Sequence, residues 1–276
     1  MNVINPIVYS TANIRWLIHS FLLCLLLLQV TKANGQKLYK ASWKQSAAVI
    51  GGSSLLFGSG IIVEESKEPF TVDDIALLDK NSVFRFDRNA INNFSLSAKR
   101  NSDHFKNGIW AVPFTLLLSK QGRDNTKEIL MMYAEVVSLN AGLTQITKRS
   151  LGRNRPFTYN ANVNLDIKLE ADARRSFFSG HVSHVAGLSY FTAAVFSDLY
   201  PDSNFKYLVW AGAITTPAIT GYLRAKAGSH FPTDLIMGYG VGALVGYFIP
   251  KFHTITQEKN INISSNDGKL GLVYNF

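Results

Sequence analysis

The segment RAKAGSHFPTD, Arg224 to Asp234, decides how the rest of the chain is read. Pro232 suits the first turn of a helix, because its ring fixes φ near the helical value and an N–H there would lack a partner anyway. His230 then stands just before the helix, with Asp234 in its first turn. An Asp so placed can accept a hydrogen bond from one imidazole nitrogen. That fixes the tautomer and leaves the other nitrogen free to attack. An anion beside such a helix start meets unpaired backbone N–H groups and the positive end of the helix dipole. Arg224, at the end of an apolar helix expected over Tyr207–Leu223, can hold two phosphate oxygens at once. Taken singly, these features read equally as a capping Asp beside an incidental His and a solvated Arg at a helix end.

Two upstream segments change the balance. Ser179-Gly180-His181 opens a helix expected over His181–Ser197. Ser179 fits the N-cap position, Gly180 permits close approach of an anion to the backbone, and His181 projects from the first turn, where it can protonate a leaving oxygen. His184, one turn on, reads as a helix residue facing its neighbours. No Gly-x-Ser-x-Gly frame surrounds Ser179, which argues against a serine nucleophile. Further upstream, Lys148 ends a helix expected over Lys127–Thr147, and Arg155-Pro156 follows seven residues later. Lys148, Arg149, Arg153, Arg155 and Arg174 cluster around one loop system, Leu151–Arg175. A lone Lys at a helix C-terminus is commonplace on dipole grounds. Three cations converging on one phosphate would neutralise both its charge and that of its transition state.

Lys-x6-Arg-Pro, Ser-Gly-His and Arg-x5-His-x3-Asp, in that order, resemble the three-part signature of the type 2 phosphatidic acid phosphatase (PAP2) and vanadium haloperoxidase superfamily, over about residues 105–250. The resemblance implies an all-α helical bundle with its active site at one end. It implies that Lys148, Arg155 and Arg224 bind the phosphoryl group, helped by Ser179 and Gly180. His230, oriented by Asp234, would be the nucleophile, His181 the acid, and a phosphohistidine the intermediate, with no metal or other cofactor. Two positions depart from the family pattern: Phe178 stands where Pro is frequent before Ser-Gly-His, and Leu223 where Ser is frequent before the Arg. Neither removes a reactive group.

The bulk composition is compatible with this. The 276 residues carry a net charge of +9, which suits an anionic substrate or lipid surface as well as a merely basic exterior. The basic residues are scattered and unaccompanied by stacking aromatics, which argues against nucleic acid. Charged residues make up only 17%, below the roughly 25% of an average soluble domain, which leans towards a buried or membrane-near helical protein. Cys24 is the only cysteine, so neither a disulfide framework nor a thiolate metal site can form. The paired carboxylates Asp73-Asp74 and the run Asp166 to Asp172 lack metal-ligand partners and read as solvated loops.

The N-terminus reads as an export signal. Arg15 precedes an apolar run from Trp16 to Leu28, and Thr31-Lys32-Ala33 offers a small-residue cleavage site. An uncleaved anchor is the alternative. The expected organisation is a signal peptide or anchor over 1–33, a helical and loop extension over 34–104, the core over 105–250 and a tail over 251–276. Ala47–Val63 reads as a buried helix, Glu64–Asp103 as mixed and polar, and Ile109–Leu118 and Leu235–Pro250 as helices. Asn266-Asp267-Gly268 between alternating stretches predicts a terminal hairpin. The later uncharged runs, about 16–17 residues, fall just short of the roughly 20 that a span needs. The mean hydropathy of +0.06 is likewise low for a multi-pass protein. A compact periplasmic or cell-envelope domain, soluble or peripherally membrane-associated, is therefore expected, with an integral membrane form as the alternative.

The expected activity is that of a hydrolase: a metal-independent phosphatase acting on phosphate monoesters through His230. Lipid phosphates, isoprenyl pyrophosphates and lipid A are candidate substrates, and small soluble esters fit the same chemistry. The rival readings are a vanadate-dependent haloperoxidase, since vanadate mimics phosphate, and a non-catalytic envelope structural protein. Nothing in the sequence fixes the oligomeric state.

Overall fold

The computed structural model describes residues 37–65, 71–255, 261–266 and 269–274. The expected export signal lies outside the described residues. Six long helices make the fold: α1 (Trp43–Glu65), α2 (Leu96–Ile109), α3 (Thr126–Leu151), α4 (Gly180–Leu199), α5 (Phe205–Lys226) and α6 (Pro232–His253). The fold is all-α. In the tail, the backbone of Ile261–Asn266 runs antiparallel to that of Lys269–Tyr274, and nothing at the site depends on it.

α4 is the central helix. Its sequence is apolar all round, as a helix enclosed on every side must be. Val182, Val185, Leu188, Phe191 and Val195 are all buried. All but Val182 meet Met132 and Val136 of α3 and Ile249 of α6 in one core. Each such side chain withdrawn from water contributes about 1.5–3 kcal/mol.

The closest packing is α4 against α6. Gly238, Gly242 and Gly246 recur every fourth residue on α6, facing the backbone carbonyls of Ser179, Ser183 and Gly187 on α4. A Cβ at Gly238 would come 2.5 Å from Ser179 O, and at the other two closer still. Small residues on one ridge thus let the two backbones touch. This registers the start of α4, with Ser179 and His181, against the start of α6, with Asp234. At the other end of α6, His253 Nε2 lies 2.9 Å from Glu135 Oε2 of α3, and Ser46 Oγ of α1 donates to Glu135 Oε1, tying three helices together.

Several expectations need correction. The helix expected at Ile109–Leu118 is a 3-10 segment, Val112–Leu118, holding Pro113 near its start. The α-helix precedes it, as α2, starting inside the stretch read as polar and mixed and ending at Ile109. α2 starts at Ser95, whose hydroxyl accepts from Ala98 N, and buries only Ala98, Ser102 and Ile109, too few apolar positions to mark it in the sequence. The expected boundary at 104/105 falls within α2. α1 forms where Ala47–Val63 was expected, but it is largely exposed rather than buried, with Leu55 at 73% and Ile62 at 71%.

The helices also outrun the uncharged stretches that announced them, because a helix continues past a charge that can reach solvent or a partner. Among the described residues, three helices are long and apolar enough to cross a membrane, over Trp43–Val63, Thr126–Tyr159 and Pro232–His253.

Candidate active site

His230 is completely buried, in the turn between α5 and α6. That turn depends on Gly228, whose φ of +67° belongs to the left-handed region and whose Cβ position is filled by Asn93 O. The ring is held through Nδ1, 2.7 Å from the carbonyl oxygen of Ser176. A carbonyl only accepts, so the proton sits on Nδ1 and the lone pair on Nε2. Nε2 has no hydrogen-bond partner.

The partner of this imidazole differs from the expected one. Asp234 Oδ2 lies 3.8 Å from Nδ1, beyond hydrogen-bond range. Its carboxylate is instead occupied by Ser176 Oγ, by Phe231 N at 2.8 Å and by Arg153. Asp234 therefore acts on His230 through Ser176, whose side chain it holds and whose carbonyl takes the ring proton. The spacing of His230 and Asp234 in sequence could not show this, because Ser176 arrives from a loop 54 residues upstream.

Arg153 and Asp87 complete this support. Arg153 bridges Asp234 and Asp87, with Nη2 2.8 Å from Asp87 Oδ2, and its guanidinium lies 4.5 Å from the centre of the Phe231 ring. Asp87 also accepts from Thr233 N and Thr233 Oγ1, at 3.0 and 2.7 Å. Arg153, which the sequence placed in the basic cluster, is thus spent on two buried carboxylates that fix the start of α6. Asp87 gave no signal in the sequence.

The three expected phosphate-binding cations surround the same imidazole. Lys148, in the last turn of α3, donates from Nζ to Arg175 O at 2.8 Å. Arg155 is buried, donating to Asp172 O at 2.8 Å and Ser229 O at 3.3 Å and pairing with Asp172 Oδ2 at 2.7 Å. Asp172 is therefore an ion-pair partner, not the solvated loop residue expected. Arg224, at the end of α5, is buried, with Nη1 3.3 Å from Ser102 Oγ of α2 and Nε unpaired.

The charges of these three cations also act on their neighbours. Burial first, and then the charges of Arg155, Lys148 and Arg224, hold His230 well below the ordinary imidazole range. Against burial, which raises it, the charges of Arg155, Lys148 and Arg224 keep Asp172 below the ordinary carboxylate range.

Ser179 and Gly180 enter from the start of α4. Ser179 occupies the N-cap position, but its hydroxyl makes no capping bond. Oγ is buried and unpartnered. Gly180 is needed for space, since a Cβ would come 2.8 Å from Thr144 Cγ2 and 3.7 Å from Lys148 Cε. His181 Nε2 lies 2.7 Å from Asp103 Oδ1 of α2, a contact absent from the sequence reading. Burial, followed by the charges of Arg224, Lys106, Lys148 and Arg155, pushes the His181 imidazole far below its usual range. His184 takes no part, its ring packing on Trp110 with centroids 5.3 Å apart.

One pocket therefore gathers a buried neutral imidazole with a free Nε2, a free hydroxyl, a free Arg Nε and three cations. Groups of these kinds can hold a tetrahedral oxyanion. Residues 129–257 match the family described as the PAP2 superfamily. Among curated proteins it is 30% identical over 88 residues to a lipid A 4'-phosphatase of Porphyromonas gingivalis. That match covers 32% of this chain and 34% of the relative, about a third of its length. Among solved structures it resembles a transmembrane PAP2 type phosphatidylglycerolphosphate phosphatase from Bacillus subtilis. The likeness is at 18% identity and TM-score 0.40, covering 86% of this chain and 94% of that one.

Proposed function

We propose that the protein is a membrane-associated phosphatase that hydrolyses lipid phosphate monoesters through a phosphohistidine. The observation that carries this reading is the unpaired Nε2 of His230, buried and faced by the charges of Lys148, Arg155 and Arg224. An imidazole kept neutral at physiological pH is a nucleophile, and the cations that add to the effect of its burial are the groups that would bind its target.

The chemistry follows from these groups. The Nε2 lone pair attacks phosphorus, and the bond from phosphorus to the ester oxygen breaks. The leaving oxygen takes the electron pair and a proton from His181. Water then attacks the phosphohistidine. The P–N bond breaks, its electron pair returns to His230, and neutral His181 accepts a proton from the water. The sum is ester plus water giving alcohol plus phosphate. Burial, followed by the charges of Arg224, Lys106, Lys148 and Arg155, holds His181 neutral. A phosphate dianion offsets their charge and restores its affinity for a proton, so the acid is armed by the substrate itself. Charge developing on the phosphoryl oxygens meets fixed guanidinium and ammonium donors in a dry pocket, where they stabilise it most.

A hydrophobic substrate is supported by an apolar groove of about 540 Å³ between α5 and α6. Val182, Gly221, Tyr222, Ala225, Leu235 and Ile236 line it. The lining is apolar and would take hydrocarbon, and two of its residues, Val182 and Ala225, directly follow His181 and Arg224 in the chain. The three helices able to cross a membrane, and exposed apolar side chains such as Tyr222 and Ile236 on α5 and α6, support a membrane location. The periplasmic face is the exported side that the N-terminal segment suggests.

The test is hydrolysis of a phosphatidic acid, an isoprenyl phosphate and p-nitrophenyl phosphate by the full chain in detergent, with trapping of radiolabelled phosphoenzyme in alkaline denaturant. We expect label that survives alkali, as phosphohistidine does, and its absence in His230→Asn. Single Ala substitutions at Lys148, Arg155 or Arg224 should lower kcat/KM by about 10²–10³-fold. Turnover by His230→Asn at the wild-type rate would refute the reading.

A further inference from the structure

Asp103 does what a substrate would do. Its Oδ1 accepts from His181 Nε2 at 2.7 Å, the nitrogen from which a proton must pass to the leaving oxygen. The same oxygen lies 3.7 Å from Arg224 Nη1, one of the three phosphate-binding cations. A single carboxylate oxygen thus bridges the acid and a cation of the cradle, the place an ester oxygen must take for protonation.

We propose that Asp103 is a built-in anion that occupies the leaving-group side of the empty site and is displaced by the substrate phosphate, which makes it a specificity determinant. The proposal rests on reading this pocket as a phosphate site. Both His181 and the leaving oxygen need the same N–H, so the contact with Asp103 and protonation of the ester exclude each other. A dianion placed there would also repel the carboxylate.

Displacement is cheap in structural terms. The Asp103 side chain is 41% exposed, so it can turn to solvent without opening the core. Its helix stays anchored by Ser102, which is fully buried and receives Arg224 Nη1 at 3.3 Å. The consequence is discrimination. Orthophosphate must displace Asp103 using phosphate contacts alone. An ester with a hydrocarbon tail gains further binding in the groove between α5 and α6. The carboxylate therefore weakens retention of the product phosphate more than capture of the lipid ester.

The experiment measures inhibition by orthophosphate and by vanadate for wild type, Asp103→Asn and Asp103→Ala in detergent micelles. A crystal or cryo-EM structure of the vanadate complex accompanies it. We expect the inhibition constants to fall about tenfold or more in both variants, because one negative charge beside the bound anion is gone. We also expect the vanadate complex to show Asp103 turned away from His181. Unchanged or weaker inhibition in the variants, or an intact Asp103–His181 contact beside bound vanadate, overturns the proposal. That result would leave Asp103 as a group that orients His181. Failure of the underlying site reading looks different: wild type would then neither hydrolyse esters nor be inhibited by vanadate.

Discussion

His230 Nδ1 lies 2.7 Å from the carbonyl oxygen of Ser176, and that one contact sets the chemistry of the ring. It fixes the proton on Nδ1, frees Nε2 and makes the carboxylate of Asp234 a support for the loop rather than a direct partner. A backbone carbonyl carries no full charge, so it orients the imidazole without drawing it towards the protonated form.

The stability of the protein should therefore fall on mild acidification. The sign follows from proton counting. An imidazole in the unfolded chain titrates near 6.5, whereas His230 and His181 in the folded protein titrate below that, first because of burial. Below about pH 6.5 the unfolded state binds more protons, so folding is favoured less as pH drops towards the folded values. Each group contributes up to about 1.4 kcal/mol per pH unit over that window. Thermal unfolding between pH 8 and pH 5 checks this. His230→Asn should flatten the slope, and an unaltered slope in that variant would count against the buried neutral imidazole.

Ser179→Ala separates a ligand role from a structural one. A serine that capped α4 would cost about 1 kcal/mol on removal. The hydroxyl here makes no cap bond and has no partner, so Tm should stay within a degree or two of wild type. The rate should nonetheless fall about tenfold or more, as expected for losing a hydrogen bond to a charged oxyanion. A drop in Tm with unchanged kcat/KM would place Ser179 in the scaffold instead.

Two glycine substitutions should behave oppositely. Gly242→Ala puts a methyl group into Ser183 O and must push α4 and α6 apart, at a cost of about 1–3 kcal/mol and with loss of activity. Gly212→Ala, on α5, meets nothing within 4 Å and should be neutral or stabilising by up to ~1 kcal/mol through helix propensity. Denaturation midpoints measured side by side decide the point. Equal effects would mean that contact along the α4–α6 seam does not register the site.

The helices after Thr126 were legible because their interiors are apolar over long stretches and their ends carry Pro232 and Ser179. α2 was not, since three buried positions in fourteen residues leave no periodic signal. The extent of the membrane-capable helices was also hidden, because a run of uncharged residues ends at the first charge and a helix does not. Within the site, Lys148, Arg155, Arg224, His181 and His230 stood out through their residue types and mutual spacing. Asp103, Asp87 and Ser176 did not. They have no motif around them, and Asp103 lies 78 residues from the histidine it touches.

The sequence by itself determined the reactive groups and their order: which side chains can carry positive charge, attack phosphorus or give up a proton is a property of residue type. Only the tertiary structure decided which of these groups remain available. Arg153 is consumed by Asp87 and Asp234, Asp234 by Arg153, Ser176 and Phe231, and His181 by Asp103, while His230 Nε2 and Ser179 Oγ are left open. The reason is that hydrogen-bonding capacity is local and finite, and what saturates it here comes from loops and helices distant in the chain, brought in by the close glycine contact of α6 on α4 and by the packing of α2 across the end of α5.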